Sequence, residues 1–152
     1  GVYKLAAVED ETGTILPRIK VSENPEKITT PHFKKVYRLF EKETNKALAD
    51  LICVHDEEID ESKPLELFDP NAVWKRVTVE DFYAEELLQP IFRGGELVYD
   101  LPGIEEIRSR CAAEVERLWD EVKRFENPHR YYVDLSQKLW DVRASLLERT
   151  KT

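Results

Sequence analysis

The sequence has no methionine, only two cysteines and only five glycines in 152 residues. Together with Gly1 as first residue, the missing methionine leads us to expect a segment of a longer polypeptide. No apolar run approaches the roughly 20 residues that span a bilayer. No secretory leader opens the chain. Two isolated cysteines speak against a disulfide scaffold. Cys53 and Cys111 lie in Leu-Ile-Cys-Val and Arg-Cys-Ala-Ala, apolar contexts that suggest two buried thiols in a reducing cytoplasm. Positive charge is short as well. The chain has 23 Lys+Arg against 31 Asp+Glu, a net charge of −8, which speaks against nucleic acid as a partner.

Catalytic signatures are also missing. There is no Walker A loop and no G-x-G-x-x-G. His32, His55 and His129 have no second ligand at i+3 or i+4 and follow no nucleophile-elbow pattern, so each reads as a loop or surface histidine. Neither cysteine has metal-ligand spacing, and no carboxylate pair stands out as acid and base. What is present is ordinary folded-domain material: 41 % apolar and 36 % charged residues, in a length ample for one core.

The first two thirds read as short strands. Val2–Val8 is β-rich and ends in the turn Asp10-Glu11-Thr12-Gly13. Ile15–Val21 alternates, with Pro17 marking an edge. Residues 22–31 hold Asn-Pro and Thr-Pro steps and read as a structured loop. Lys35–Phe40 and Ala47–Val54 form a hairpin with a long loop. An acidic linker covers 55–63, Leu65–Phe68 is a strand stopped by Asp69-Pro70, and Trp74–Val79 follows. Ala84–Phe92 is helical or extended, and Arg93-Gly94-Gly95-Glu96 is a turn.

The last third reads as helical. Ile104, Ile107, Cys111, Val115, Leu118, Val122 and Phe125 form one apolar stripe, which predicts a helix of about six turns ending at Asn127-Pro128. A second helix is expected from Asp134, with Asp134 and Gln137 as a capping box and Leu135, Leu139, Val142 and Leu146 as its stripe. Trp119 and Trp140 are placed to meet between the helices. The expected fold is α+β: mostly antiparallel short strands over about 2–99, then a helical pair over about 104–147, which divides the chain into a β-rich part (1–99) and a helical part (100–152).

One stretch is unlike its acidic surroundings. From Arg18 to Lys46 there are eight basic and four acidic residues. It reads either as a solvated face or as a local phosphate contact. Within it, Lys20 and Lys27 bracket a loop stiffened by Pro25 and Pro31. Composition alone favours an ordinary surface loop.

The motifs change the weighting. Gly1-Val2-Tyr3-Lys4-Leu5, the run from Lys20 to Thr29, Lys35-Val36-Tyr37-Arg38-Leu39, Phe68-Asp69-Pro70 with Trp74-Lys75-Arg76, and the run from Glu126 to Ser136 together resemble the C-terminal part of the nicotinate phosphoribosyltransferase family. The resemblance runs from Gly1 to about Leu147. It implies a parent enzyme that makes nicotinate mononucleotide from nicotinate and phosphoribosyl pyrophosphate, coupled to ATP hydrolysis with Mg²⁺, in cytoplasmic NAD salvage. It implies an α/β barrel carrying most of the active site, a phosphorylated histidine that none of the three here matches, and a homodimer with sites at the subunit interface. The expected partners are then the N-terminal and barrel parts of the parent chain, the second subunit and the two substrates, with no nucleic acid and no membrane. No cofactor, metal or catalytic residue is expected in this segment, which alone should be inactive. By the same resemblance Lys20 and Lys27 correspond to phosphate-binding lysines that reach across the dimer interface. One departure is notable: Pro31-His32-Phe33 stands where the family usually has Pro-Gly before the paired lysines. A reading of another class is a non-catalytic protein-interaction module, which an exposed apolar strip on either helix would favour.

Overall fold

The structure is a computed structural model that describes residues 3–24, 27–70 and 72–150. The α+β architecture is as expected. In chain order the elements are β1 (Ala7–Glu9), β2 (Ile15–Pro17), β3 (Lys34–Glu41), β4 (Ala47–Val54), β5 (Leu65–Asp69), β6 (Ala72–Val79), β7 (Phe82–Glu86), β8 (Phe92–Arg93), β9 (Glu96–Leu97), α1 (Ile104–Glu116), α2 (Asp120–Lys123), β10 (Val133–Leu135) and α3 (Gln137–Arg149). The opening strand is shorter than the sequence suggests, and Val2 lies outside the described residues.

The centre is a four-stranded sheet in the order β10-β4-β3-β7. The β3–β4 hairpin is antiparallel, with Tyr37 opposite Leu51 and Arg38 opposite Asp50. The β3–β4 register shifts between Leu39 and Phe40, and on the β7 side Phe40 lies opposite Tyr83 and stacks on it, with ring centroids 5.1 Å apart. The alternation read in the sequence sorts the two faces of this sheet. Tyr37, Leu39, Ala49, Leu51 and Cys53 turn one way and pack with Leu67 of β5 and Phe82 of β7. Phe40, Phe82, Leu39 and Leu51 are among the largest fully buried side chains, each contributing about 1.5–3 kcal/mol by leaving water. The β5–β6 hairpin covers this face. On the other face Val54 and Leu135 receive Leu139 of α3.

Asp134 does not cap a helix. It sits in β10, which pairs parallel to β4 with Asp134 opposite Leu51. The cap of α3 is Ser136, whose hydroxyl accepts from the Leu139 N–H at 3.2 Å and donates to Glu57 at 2.7 Å. The six-turn helix is also corrected. The first helix ends at Glu116, and its apolar spacing continues through a turn into the four-residue α2. The turn is held by the Ala47 N–H, which donates to the Arg117 carbonyl at 2.8 Å, and by Lys46 Nζ, 2.6 Å from the Glu116 carbonyl. Trp140 packs edge-on against Phe68 with centroids 5.8 Å apart, not against Trp119. Cys53 is buried and Cys111 is exposed, so the expectation of two buried thiols holds for only one. Burial pushes the Cys53 thiol up to about 12.

No residue of α1 is buried among those described. The helix is fastened by charge. Arg117 lies 3.4 Å over the Phe40 ring, meets Glu85 at 2.8 Å and bonds the Tyr83 hydroxyl at 2.7 Å. Glu114 reaches Arg38 at 3.3 Å. Arg38 is itself forked onto Asp50, at 2.8 and 3.0 Å.

Ala84–Phe92 resolves as extended chain at β7 and β8, with a connecting segment between them. Gly94 and Gly95, at φ +58° and +87°, make the two-residue turn between β8 and β9. Only glycine fits both positions easily.

His32 also lies in the left-handed region, at φ +81°. The backbone turns sharply before β3, and a side chain strains it there. His32→Ala is expected to be less stable than His32→Gly by about 1 kcal/mol, or about 2–4 °C in melting temperature. Both variants lose the imidazole, so thermal denaturation of the pair isolates the backbone effect.

Candidate functional site

The basic stretch from Arg18 to Lys35 folds against the segment preceding β1. The Ala6 carbonyl accepts from both the Arg18 and His32 N–H groups at 2.8 Å, so 3–6 lies between the two ends of the loop. The loop closes on itself where the Thr29 N–H meets the Lys20 carbonyl at 3.2 Å. The Lys27 N–H donates to the Asn24 carbonyl, and Lys4 Nζ donates to the Lys27 carbonyl. Pro25 and Glu26 lie outside the described residues.

Lys20 and Lys27 are both exposed, on the two arms of this loop. Neither ammonium group is held by an acidic partner among the described residues. Lys34 and Lys35, next along the chain, are committed elsewhere. Lys34 Nζ donates to the carbonyls of Thr30 at 2.9 Å and His32 at 2.7 Å and so fastens the turn. Its burial lowers its pKa. Lys35 is paired with Glu58. The geometry therefore separates two structural lysines from two available ones. An exposed, unpaired ammonium on a closed loop suits a phosphate oxygen, which it meets as a mobile point charge.

The histidines do not form a catalytic group. His32 and His55 stack with centroids 5.8 Å apart, and Phe33 tilts against His55 at 5.1 Å. His129 is exposed. No cluster of three His, Cys, Asp or Glu suited to a metal ion occurs among the described residues.

A second feature was not read from the sequence. Between the β5–β6 hairpin and the sheet lies a cavity of about 340 Å³ walled by Leu67, Phe68, Val77 and Val79. Asp69 and Asp134, 6 % and 4 % exposed, open into it. Arg130 reaches Asp69 at 3.2 Å from a side chain that is mostly solvated. No hydrogen-bond donor meets the Asp134 carboxyl among the described residues. Burial raises the Asp134 pKa, the Asp69 charge adds to the rise, and Arg130 opposes it. The signal in the sequence was a lone charge within Tyr131-Tyr132-Val133-Asp134-Leu135, obscured by its fit to a capping box.

The raised pKa has a sign for stability. A carboxyl that binds its proton more tightly in the fold weakens the fold once ionised. The stability is complete below the unfolded value of about 3.9 and is lost as pH rises through the folded one. Asp134→Asn is thus expected to melt above the parent at about pH 7, with the gap closing below about pH 4. Thermal denaturation at the two pH values checks this.

Comparison with known proteins places the chain among relatives. Residues 33–143 match the family model for the nicotinate phosphoribosyltransferase C-terminal domain. Nicotinate phosphoribosyltransferase of Bacillus subtilis is 37 % identical over 151 residues, covering 99 % of this chain and 31 % of the relative. Human nicotinate phosphoribosyltransferase is 33 % identical over 140 residues, covering 91 % of this chain and 25 % of the relative. The crystal structure of human nicotinic acid phosphoribosyltransferase superposes with a TM-score of 0.72 at 26 % identity, over 86 % of this chain and 25 % of that one. The chain thus spans about a quarter to a third of the length of these relatives.

Proposed function

The chain belongs to the nicotinate phosphoribosyltransferase C-terminal domain family, and from that premise we propose that it serves as the C-terminal domain of a nicotinate phosphoribosyltransferase. The parent enzyme joins nicotinate to phosphoribosyl pyrophosphate, with ATP hydrolysis, to give nicotinate mononucleotide for NAD salvage in the cytoplasm. The observation that carries the reading is 37 % identity to the Bacillus subtilis enzyme across 99 % of this chain. Alignment that complete assigns the whole segment to one place in a longer enzyme.

The division of labour follows from what the domain offers. The chain spans only about a quarter to a third of its relatives, and no three-residue metal cluster forms among its described residues. ATP, Mg²⁺ and the reacting centres are assigned to the remainder of the parent, so the isolated domain is inactive. Positioning at a phosphoribosyl centre needs groups on several elements at once. Lys20 and Lys27 are the groups this domain contributes, as phosphate contacts reaching the active site of the second subunit in a homodimer. Their exposure, and the lack of acidic partners among the described residues, support this role.

The apolar surface also suits such a place. Ile104, Ile107 and Val115 of α1 are exposed, as are Tyr3 and Leu5 before β1. In a larger enzyme these surfaces meet the rest of the polypeptide, so the exposed strip on α1 needs no separate interaction partner.

The test is nicotinate-dependent pyrophosphate release by the full polypeptide that carries this chain. Activity of the full polypeptide and none from residues 1–152 alone are expected. A full polypeptide without activity contradicts the reading. Lys20→Ala with Lys27→Ala should raise the KM for phosphoribosyl pyrophosphate about tenfold, the loss of one or two charge-assisted contacts. An unchanged KM removes the lysines from the site.

A further inference from the structure

The cavity beneath the β5–β6 hairpin has no role in the phosphate reading. None of its lining residues belongs to the basic stretch. Its volume of about 340 Å³ lies in the range of small-ligand pockets. Its walls are apolar, and it holds two carboxyls where an apolar core needs none.

From this arrangement we propose that the cavity binds a small organic cation, an ammonium or amidinium carried on a compact apolar body. The carboxyl of Asp134 carries the inference. It is 4 % exposed, opens into the cavity and meets no hydrogen-bond donor among the described residues. A buried ionised carboxylate without a donor is among the more costly groups a fold can hold. A ligand N–H group supplies both the missing donor and the opposite charge. The apolar walls exclude water from that contact and strengthen it.

The surrounding charges favour a single positive centre. Asp69 is met from outside by Arg130 at 3.2 Å, while Asp134 feels the Arg130 charge but has no ion pair of its own among the described residues. Lys75 is exposed at the rim and adds one positive charge there. An anion would face two carboxyls, and a neutral ligand of the same shape would leave Asp134 without its counter-charge. The raised pKa of Asp134 agrees with this placement, since burial and the Asp69 charge both resist its ionisation until a cation arrives.

Benzylamine and its neutral counterpart benzyl alcohol are the probes, titrated calorimetrically into the full polypeptide at about pH 8, where the amine is charged. Saturable binding of benzylamine at one site per chain is expected, with benzyl alcohol at least about tenfold weaker. Asp134→Asn should weaken benzylamine by at least about tenfold and leave benzyl alcohol unchanged. Val77→Trp, on an exposed wall residue, should block both probes by filling the cavity. No saturable binding means that the remainder of the polypeptide fills the cavity, and it overturns the proposal. Equal affinity for the two probes, or benzylamine binding unaffected by Val77→Trp, also overturns it. If Asp134→Asn fails to fold, the contrast between the probes together with Val77→Trp decides.

Discussion

The forked pair between Arg38 and Asp50 is the interaction on which the layers converge. Both residues sit opposite one another in the middle of the β3–β4 hairpin. Their side chains are mostly shielded from water, 21 % and 13 % exposed. From this point Arg38 extends to Glu114 on α1, and Asp50 accepts the Tyr131 hydroxyl at 2.8 Å from the segment leading into β10. One salt bridge thus ties the hairpin to the first helix and to the parallel edge strand. Replacing only one partner would leave a half-buried charge uncompensated, which is far worse than losing both. The Asp50 hydrogen bond and charge raise the Arg38 pKa, and burial, with the hydrogen bond that Tyr131 donates to Asp50, raises that of Tyr131.

This brace explains why α1 stays docked without a buried residue of its own. A surface helix normally attaches by its apolar stripe. Here Arg117 and Glu114 hold it through ion pairs and the Phe40 ring. The upper part of the stripe, Ile104 and Ile107, faces solvent. Its lower part, with Cys111, Val115, Leu118 and Val122, lines an open cleft over Arg38 and Asp50. Polar fastening on the inside with apolar surface left uncovered fits the proposed place of this domain within a larger enzyme.

The sheet was legible because alternation is a local signal. Lys35–Phe40 and Ala47–Val54 each turn one set of residues inward, and the hairpin follows from adjacency. The glycine pair at 94 and 95 was legible for the same reason, since φ is a property of single residues. The helix ends were not. Leu118, Val122 and Phe125 keep a helical spacing past Glu116, but a tertiary contact from Lys46 and Ala47 turns the backbone there. Asp134 and Gln137 fit a capping box, but Val133–Leu135 pairs with a strand about 80 residues away, and Ser136 takes the cap. Such long-range pairing leaves no trace in local periodicity. At the basic loop, sequence motifs named Lys20 and Lys27, and geometry separated them from the committed Lys34 and Lys35. The acidic cavity arises from β4, β5, β6 and β10 together, so no single motif announces it.

The central claim is that this domain stands on its braced sheet and gives its uncovered apolar helix face to the rest of an enzyme. Hydrogen–deuterium exchange, compared between residues 1–152 alone and the full polypeptide, tests it most directly. The amides of β3, β4 and β10 should be equally protected in both, because their bonds lie within the domain. Those of α1 should exchange distinctly more slowly in the full polypeptide, where the stripe is covered. Equal exchange of α1 in the two would contradict the claim.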